Sequence, residues 1–589
     1  TSRPMPQLRD TRDPDSNVVL EPALITEVKT AAELAALEAT LPAIAILDAA
    51  YENNTFGVIQ NGKFTKVDAA AVCDRVIPAY RVDSSQEALA LAQYAASLEL
   101  CDAYVIASDT QLIKNARSKC NKLYGMLDAT AMTLDDEEMR ALCIESGARG
   151  AILSAEIAKR DYVSYLQDRY LVVWQAITEK DVSAVSAINN GVLGLITPDV
   201  KATEACFTKY YDKNTLVRTP EIIGHRGVPS KAQENTVEGS VKAFELGATM
   251  VENDIYLMKD GNIIVMHDGT IDRTTNGTGN TADQTAETIK NYVVDGNANA
   301  ATTPVPTLKD YFEEFKGTGE VLVIELKGSN TKVCAPLAKL IKEYEMERQV
   351  VVIAFNKSMI TALRAANPTV SINFLTSAIT ANEQRSLTIA QDVLSEVIPI
   401  NTAYSPSQSS GTLGINLYTD LAVRGVTLWN WTVNKEDAFN SYFISGIRGI
   451  TTNYTQWAGT YVEDFTVSFD ESGKLVLNAV TYAGNNAGAA KAELVVIGGT
   501  GTYEDGHVTL SDDAEGYFFK LKKTLSNGTA YYVVTPVVLK ADNVEAEPLP
   551  ETTAEETTEA ITYEQTEVEY PTDTEPVAEK GCGGMISLS

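Results

Sequence analysis

Histidine is the scarcest chemically useful residue in this chain of 589 residues, with three copies at His225, His267 and His507. The first 224 residues contain none, so imidazole acid–base chemistry has to lie beyond them. The sequence also lacks the run of about 18 apolar residues that a membrane-spanning helix needs. Basic residues are few, because 48 Lys and Arg stand against 79 Asp and Glu, for a net charge of −31. That balance argues against a general nucleic-acid binder, since phosphate backbones select basic surfaces.

The seven cysteines show none of the CxxC spacings of zinc or redox sites, and their density is far below that of a disulfide scaffold. They are Cys73, Cys101, Cys120, Cys143, Cys206, Cys334 and Cys582. We interpret them as buried free thiols, so cysteine usage does not settle the compartment.

The chain is too long for one hydrophobic core and divides into four parts. Residues 1–220 alternate β-branched runs with helical patterns, which favours a degenerate, barrel-like α/β domain. Residues 221–458 repeat this style with cleaner strands. Residues 459–545 carry short strands between Gly, Asn and Asp turns, a spacing typical of a small β-sandwich or barrel. Residues 546–589 are acidic and rich in Thr and Pro, which predicts a disordered stalk.

Two segments, residues 171–199 and 426–454, resemble each other at a constant offset of 255 residues. The offset pairs Trp174 with Trp429, Lys180 with Lys435, Gly191 with Gly446, Gly194 with Gly449 and Thr197 with Thr452. It suggests a duplicated barrel whose last βαβ unit is still legible, with chance similarity between two amphipathic segments as the alternative. The first copy is short, so we expect it to be trimmed or incomplete.

Two histidines and two carboxylates follow predicted strands in the second copy. We predict strands that end at His225, cover Met250–Leu257 and cover Asn262–His267, and strand ends carry the active site of a parallel barrel. Glu252 and Asp254 are two residues apart on a strand, so both point the same way. Carboxylates aimed into a barrel mouth repel each other unless a cation lies between them, and a hard divalent ion is the economical answer.

A second charged pair ends the apolar run at residues 321–324. Glu325 could be a third carboxylate ligand, and Lys327 on the same face could meet a phosphate oxygen. Arg226 supplies a planar fork that suits phosphate. A metal, two cations and two imidazoles together describe phosphoryl transfer with a paired general acid and base.

Residues 225–434 carry a series of short motifs: HRG (225–227), ENT (234–236), ExD (252–254), VxHD (265–268), RTT (273–275), PTL (306–308), ExK (325–327) and WTVN (431–434). In this order, the motifs resemble those of the glycerophosphodiester phosphodiesterase family. The resemblance implies a (β/α)₈ TIM barrel at residues 221–458. It also implies hydrolysis of glycerophosphodiesters to glycerol 3-phosphate and an alcohol, with Ca²⁺ or Mg²⁺.

Carried over by position, the resemblance assigns roles to eight residues. The acid–base pair is His225 and His267, the phosphate ligands are Arg226 and Lys327, the metal ligands are Glu252, Asp254 and Glu325, and the residue that packs on glycerol is Trp431. Which histidine is the acid stays open at this point. In related enzymes a glycerol hydroxyl can attack first and give a cyclic phosphate that water then opens.

The sequence departs from the family pattern at two places. Gln233 precedes the ENT motif where proline is usual, and we expect this to alter a loop only. Asn453 stands where aspartate is common, and we expect a changed peripheral contact outside the core set of site residues.

The histidine-free first copy is expected to be inert in this chemistry and to have a structural or recognition role. A loose alignment places Leu47 and Ala49 where the second copy has Glu252 and Asp254. His507 lies in a turn-rich stretch, and we expect an exposed strand residue rather than a ligand.

Two other functions stay open. A phospholipase D-like lyase of the same superfamily would carry a disulfide-closed loop near its second histidine, whereas Cys334 is the only cysteine of this barrel. A non-catalytic surface protein that binds wall glycerophosphate polymers is the other alternative, and the intact acid–base and metal-binding set speaks against it.

The C-terminal residues predict the location. Lys580, Gly581 and Cys582 resemble the junction before the membrane anchor of surface proteins in some Gram-positive bacteria. We therefore expect an extracellular, surface-attached protein whose substrate is a small glycerophosphodiester or a teichoic-acid-like polymer. Its oligomeric state stays open.

Overall fold

The computed structural model describes residues 6–68, 72–377, 387–408 and 415–544. The acidic segment 546–589, with the stalk and the anchor junction, lies outside the described residues, so both stay predictions. Within the described ranges, no helix is long and apolar enough to cross a membrane.

Residues 23–209, the first barrel, form a closed ring of eight parallel strands. Its strands, with a hairpin that follows the second, are β1 Ala23–Val28, β2 Ile44–Glu52, β3 Thr55–Gln60, β4 Lys63–Lys66, β5 Ile77–Arg81, β6 Tyr104–Ala107, β7 Tyr124–Asp128, β8 Ala148–Leu153, β9 Val172–Ala176 and β10 Gly194–Ile196. Its helices are α1 Ala31–Thr40, α2 Ser85–Ser97, α3 Thr110–Lys119, α4 Asp136–Ser146, α5 Arg160–Gln167, α6 Asp181–Asn189 and α7 Val200–Lys209. The barrel closes because β1 pairs with both β2 and β10.

Residues 221–452, the second barrel, repeat this architecture after a short strand, β11 Thr215–Leu216. Its strands are β12 Glu221–Gly224, β13 Met250–Leu257, β14 Ile263–Val265, β15 Val293–Val294, β16 Thr303–Pro304, β17 Val321–Leu326, β18 Val350–Ala354, β19 Ile372–Thr376, β20 Ala403–Pro406, β21 Trp429–Asn430 and β22 Gly449–Thr452. Its helices are α8 Val237–Glu245, α9 Leu308–Phe315, α10 Cys334–Glu343, α11 Lys357–Ala366, α12 Leu387–Val397, α13 Ile415–Ala422 and α14 Glu436–Phe443. The barrel strands are β12, β13 and β17 to β22, and closure comes from the β12–β22 pairing and a bridge between Tyr404 and Leu428.

The first barrel keeps every strand and is trimmed in its connections, which is the first of the two alternatives that we expected. The link from the second to the third barrel strand spans residues 53–76 in the first barrel and residues 258–320 in the second.

A β domain follows, built from β23 Val462–Phe469, β24 Leu475–Thr481, β25 Glu493–Ile497, β26 Gly501–Glu504, β27 His507–Leu510, β28 Gly516–Thr524, β29 Ala530–Val534 and β30 Val538–Leu539. Its largest sheet has the order β11, β29, β28 and β25, so a strand from before the second barrel joins it. His507 begins a strand but is half-buried rather than exposed. Together, the three parts confirm the predicted fold class of a (β/α)₈ barrel preceded by an α/β barrel and followed by an all-β domain.

Capping side chains fix where the helices begin. Ser84 and Glu87 form a capping box that starts α2 at Ser85. In the same way, Thr307 of the PTL motif and Asp310 start α9.

The repeat at offset 255 occupies the seventh and eighth strands of both barrels. Gly194 lies in register with Trp174, and Gly449 lies in register with Trp429. A Cβ atom on Gly194 would lie 2.3 Å from the Trp174 ring, and one on Gly449 would lie 2.2 Å from the Trp429 ring. Both glycines are therefore needed for an indole to lie across the neighbouring strand.

The barrels stack through the N-terminal ends of their strands. Arg149, at the start of β8, donates from Nε to the carbonyl of Gly425 (3.0 Å) and from Nη1 to Oδ1 of Asn401 (2.9 Å). Tyr104, at the start of β6, donates its hydroxyl to the carbonyl of Val423 (2.8 Å). The C-terminal rims therefore open in opposite directions, and each barrel has a mouth of its own.

Candidate active site

Three carboxylates meet inside the second barrel. Glu252 and Asp254 lie on β13 and Glu325 lies on β17, where strand register pairs it with Asp254. One oxygen from each lies within 4.8 Å of the other two. All three side chains are buried, because alternate residues of each strand point into the barrel.

The electrostatics of this cluster suit a bound cation. Burial first, and then the charges of Asp254 and Glu325, raise the pKa of Glu252 well above its ordinary value. Burial and the charge of Asp254 raise the pKa of Glu325 to about 7. Glu252 Oε1 is buried and has no hydrogen-bond partner among the described residues. A buried carboxylate oxygen without a donor, beside two more carboxylates, fits a divalent metal ion with oxygen ligands.

His225 follows β12, and Asn453 orients its ring. Nδ1 of His225 lies 2.7 Å from Oδ1 of Asn453, whose backbone N–H donates to Oδ1 of Asn434 (2.9 Å). The expectation that Asn453 is peripheral is therefore wrong. Because an amide oxygen only accepts, Nδ1 carries the proton and Nε2 is left as an acceptor. Burial, and then the charge of Arg226, lower the pKa of His225 to about 4.

His267 reaches the same cavity by another route. The predicted third strand exists as β14, but it runs antiparallel to β13 and is not a barrel strand. It leads back to the rim, where the N–H of Met266 donates to the carbonyl of Asp254 (2.9 Å). Nδ1 of His267 lies 2.6 Å from Oδ1 of Asp268. The pKa of Asp268 is lowered to about 2, and the hydrogen bond from Arg273 is the largest cause.

The two predicted phosphate ligands contact the carboxylate cluster. Nζ of Lys327 lies 2.7 Å from Oε1 of Glu325 and 3.3 Å from Oδ1 of Asp254. Burial alone would raise the pKa of Asp254. The charge of Lys327, followed by those of His267 and Arg226, nevertheless holds this pKa below its ordinary value. The backbone N–H of Arg226 donates to Oε2 of Glu252 (2.9 Å), and its Nη1 donates to Oε1 of Glu234 (3.1 Å).

Seven of the eight predicted site residues line one cavity of about 210 Å³, and Asp254 contacts that lining through Lys327. Trp431 stands at the rim, with its Nε1 donating to the carbonyl of Ser405 (3.0 Å). The ring of Phe355, which is 44% exposed, lies 5.4 Å from the Trp431 ring at nearly a right angle. The structure therefore brings the whole predicted set together.

Sequence reasoning missed the residues that support this set. Nδ2 of Asn235 donates to Oδ2 of Asp254 (2.8 Å), and the N–H of Asp254 donates to Oδ1 of Asn235 (3.0 Å). Arg273 joins Asp268 to Glu234, which in turn binds Arg226. The signal was present, because these residues lie in the ENT, HD and RTT motifs, where no role was assigned to them.

Gln233, which stands where the family usually has proline, makes contacts within a loop, as expected. The buried Gln233 side chain donates to the carbonyl of Asn297 (2.9 Å) and accepts from the Asn297 N–H (2.8 Å). It ties the chain before the ENT motif to the loop around residue 297 and contacts none of the predicted site residues by a hydrogen bond.

The mouth of the first barrel has a different charge pattern. The repeat matches the eighth strands of the two barrels, and the pairing of neighbouring strands extends this match around each barrel. By this match Asp48 corresponds to Asp254, and Arg81 corresponds to Glu325. The loose alignment of Leu47 and Ala49 is thus wrong by one residue. Arg81 pairs with Asp48 (2.8 Å) and with Glu27 (2.7 Å), so a guanidinium stands where the second barrel gathers a third carboxylate.

Comparison with known proteins places this site in a family. The sequence profile of the Glycerophosphoryl diester phosphodiesterase family matches residues 225–456. A glycerophosphodiester phosphodiesterase from Caldanaerobacter subterraneus subsp. tengcongensis is 30% identical over 237 residues, which cover 39% of this chain and 93% of that protein. A glycerophosphodiester phosphodiesterase from Bacillus subtilis is 26% identical over 293 residues, which cover 46% of this chain and 94% of that protein.

A solved structure of an Oleispira antarctica phosphodiesterase in complex with the product sn-glycerol-3-phosphate is 23% identical and covers 40% of this chain and 94% of that chain, with a TM-score of 0.35. The family profile, over residues 225–456, includes all eight predicted site residues. Because the alignment with the Caldanaerobacter protein, at 30% identity, covers 93% of that protein, this chain is an enzyme of the glycerophosphoryl diester phosphodiesterase family.

Proposed function

We propose that the second barrel hydrolyses glycerophosphodiesters to glycerol 3-phosphate and an alcohol, with Ca²⁺ or Mg²⁺ held by Glu252, Asp254 and Glu325. The observation that carries this proposal is a single cavity lined by two oriented imidazoles, two cationic side chains and carboxylates of the buried cluster. Paired histidines with phosphate-binding cations are the groups that phosphodiester cleavage needs.

The ion, when bound, would neutralise charge on a phosphate oxygen and fix the orientation of the phosphodiester. Lys327 and Arg226 bind the other phosphate oxygens, and Trp431 packs against the glycerol carbons. These contacts align the scissile bond with the two histidines and remove water from around the phosphate.

The hydrogen-bond partners of the two histidines differ and assign their roles. His225 is held by a neutral amide, so its Nε2 accepts the proton of the attacking hydroxyl or water. His267 is held by the carboxylate of Asp268, which stabilises an imidazolium, so His267 donates the proton to the departing alcohol oxygen as the P–O bond breaks. If the attacking group is the glycerol hydroxyl, a cyclic phosphate forms, and water then opens it.

Hydrolysis is favoured over the lyase reaction. The described cysteines are free thiols, and Cys334 is buried at the start of α10, where its Sγ approaches the Met359 carbonyl. The disulfide-closed loop of the lyases therefore has no counterpart near His267. A lyase would leave the cyclic phosphate as its final product, and phosphorus NMR separates that product from glycerol 3-phosphate.

The natural substrate and the location are part of the proposal. The net charge of −31 disfavours tight docking on anionic membranes, which supports a soluble diester or a teichoic-acid-like polymer. Attachment to a cell surface rests on residues outside the described ranges.

The test is release of glycerol 3-phosphate from glycerophosphocholine and glycerophosphoethanolamine, with Ca²⁺, with Mg²⁺ or with chelator. We expect metal-dependent release by the wild type and a loss of about 10²–10⁴-fold in His267→Ala. His507→Ala is the matched control, because that histidine lies in the β domain and should leave turnover unchanged. Equal activity in wild type and His267→Ala would refute the acid–base assignment.

A further inference from the structure

Tyr170 belongs to the first barrel but lies inside the second. It sits in the turn before β9, and its ring packs with Trp429 at 4.9 Å in an edge-to-face arrangement. The side chain is 5% exposed and lines the catalytic cavity together with His225 and Glu252. One barrel therefore supplies a residue to the cavity of the other.

The repeat explains why the second barrel has room for this ring. In the first barrel, Tyr104 packs edge-to-face on Trp174 at 4.8 Å. Strand register places Val351 at the position of Tyr104. The second barrel therefore has a valine where the first barrel has an aromatic ring. Tyr170 fills the space that this valine leaves beside Trp429 of the second barrel.

The turn that carries Tyr170 is strained, and its counterpart is not. Tyr170 has φ +71°, a left-handed conformation that side chains rarely adopt, whereas the residue 255 positions later is Gly425 with φ +77°. A Cβ on Gly425 would lie 2.7 Å from Cβ of Arg149. A reciprocal insertion into the first barrel is therefore excluded, and the strained turn is kept only where it reaches the catalytic cavity.

Arg149 holds the insertion in place. Its Nη2 donates to the carbonyl of Tyr170 (3.3 Å), while its Nε and Nη1 bind Gly425 and Asn401 of the second barrel. One buried guanidinium thus fixes the backbone of the inserted turn to the barrel that receives it.

We propose that Tyr170 is the floor of the substrate cavity, so that the histidine-free barrel is a required part of the active site of the other barrel. Its ring closes the barrel axis from below, keeps water from entering that way, and sets the depth at which the phosphodiester meets the carboxylates. This inference rests on the proposed function.

The experiment uses the full chain and compares Tyr170→Ala with Tyr104→Ala as a matched control. Both remove a buried tyrosine ring that packs on a repeat tryptophan, but only Tyr170 lines the catalytic cavity. We expect Tyr170→Ala to lower kcat/KM for glycerophosphocholine at least about tenfold, because the substrate loses its alignment. Added phenol, which matches the ring and hydroxyl that the substitution deletes, should restore activity in a saturable way. Tyr104→Ala should lower Tm, keep kcat/KM of the folded enzyme within about threefold and gain no activity from phenol.

Three outcomes would overturn the inference. Unchanged kcat/KM in Tyr170→Ala is the first, and an equal loss in Tyr104→Ala is the second. If Tyr170→Ala does not fold, Tyr170→Leu takes its place. The third outcome is unchanged kcat and KM in Tyr170→Leu, which would also overturn the inference. An inactive wild type would instead refute the proposed function and remove the substrate role of Tyr170 with it.

Discussion

Oδ1 of Asn453, after the last barrel strand, lies 2.7 Å from Nδ1 of His225, after the first. These residues are far apart in sequence and meet because β12 pairs with β22. The contact fixes which ring nitrogen of His225 faces the cavity, and Oδ1 of Asn434 accepts a hydrogen bond from the backbone N–H of Asn453.

Two substitutions of Asn453 should separate its role in orienting the His225 ring from the effect of a charge beside that ring. Asn453→Ala removes the acceptor, and we expect kcat to fall about 10–100-fold while KM changes little, the range seen when a group that orients a metal-bound imidazole is lost. Asn453→Asp keeps the acceptor but adds a negative charge that raises the pKa of His225. A base works unprotonated, so the acidic limb of the kcat/KM profile should move to higher pH. Identical pH profiles for wild type and Asn453→Asp would contradict this account.

Metal binding should depend on pH through Glu325. Its pKa of about 7 means that the carboxyl is protonated below that pH and has to lose its proton before it can bind an ion. Calorimetric titration with Ca²⁺ or Mg²⁺ should therefore show weaker binding at pH 6 than at pH 8, with proton release. Glu325→Gln should bind the ion more weakly at both pH values and lose the part of this difference that comes from Glu325, while Glu252, whose pKa is also raised, keeps the rest. Equal affinity of the wild type at the two pH values would argue against Glu325 as a ligand.

Much of the site was accessible from the sequence because strand ends and motif spacing fix it. Glu252 and Asp254 point the same way on any strand, and Glu325 follows a buried run on the next barrel strand. The antiparallel direction of β14 was not accessible, because the apolar run at residues 263–265 reads the same in either orientation. The insertion of Tyr170 was also hidden, since it depends on how two complete barrels stack.

The mouth of the first barrel should be inert. Arg81 pairs with Glu27 and Asp48, and all three side chains are partly exposed, so the cluster contributes about 1 kcal/mol or less. Arg81→Ala should therefore leave kcat and KM of the full chain within about twofold and lower Tm by about 2–4 °C at most. The wild type should bind one catalytic ion per chain in calorimetry, at the second barrel. A large loss of turnover in Arg81→Ala would mean that the first mouth takes part in the reaction.

The buried pair of Asp102 and Arg424 should be one of the strongest links between the barrels. Nε and Nη2 of Arg424 donate to the two carboxylate oxygens of Asp102 at 2.8 Å and 3.0 Å, and both side chains are at most 4% exposed. Although burial alone would raise it, Arg424 holds the pKa of Asp102 below its ordinary value. A lowered carboxyl pKa gives stability that is present above the unfolded pKa and is lost as the pH falls through the folded value.

Arg424→Ala leaves Asp102 charged and buried with the Arg9 N–H and the Tyr124 hydroxyl as donors but without its guanidinium, which costs about 3–5 kcal/mol of unfolding free energy. The double variant Arg424→Met with Asp102→Leu removes both charges, so it should recover a large part of that loss. Urea unfolding of the wild type, the single variant and the double variant measures the difference directly. If the double variant were as unstable as Arg424→Ala, the loss would come from packing and not from the uncompensated charge. In that case the pH dependence that we expect from Asp102 should also be absent.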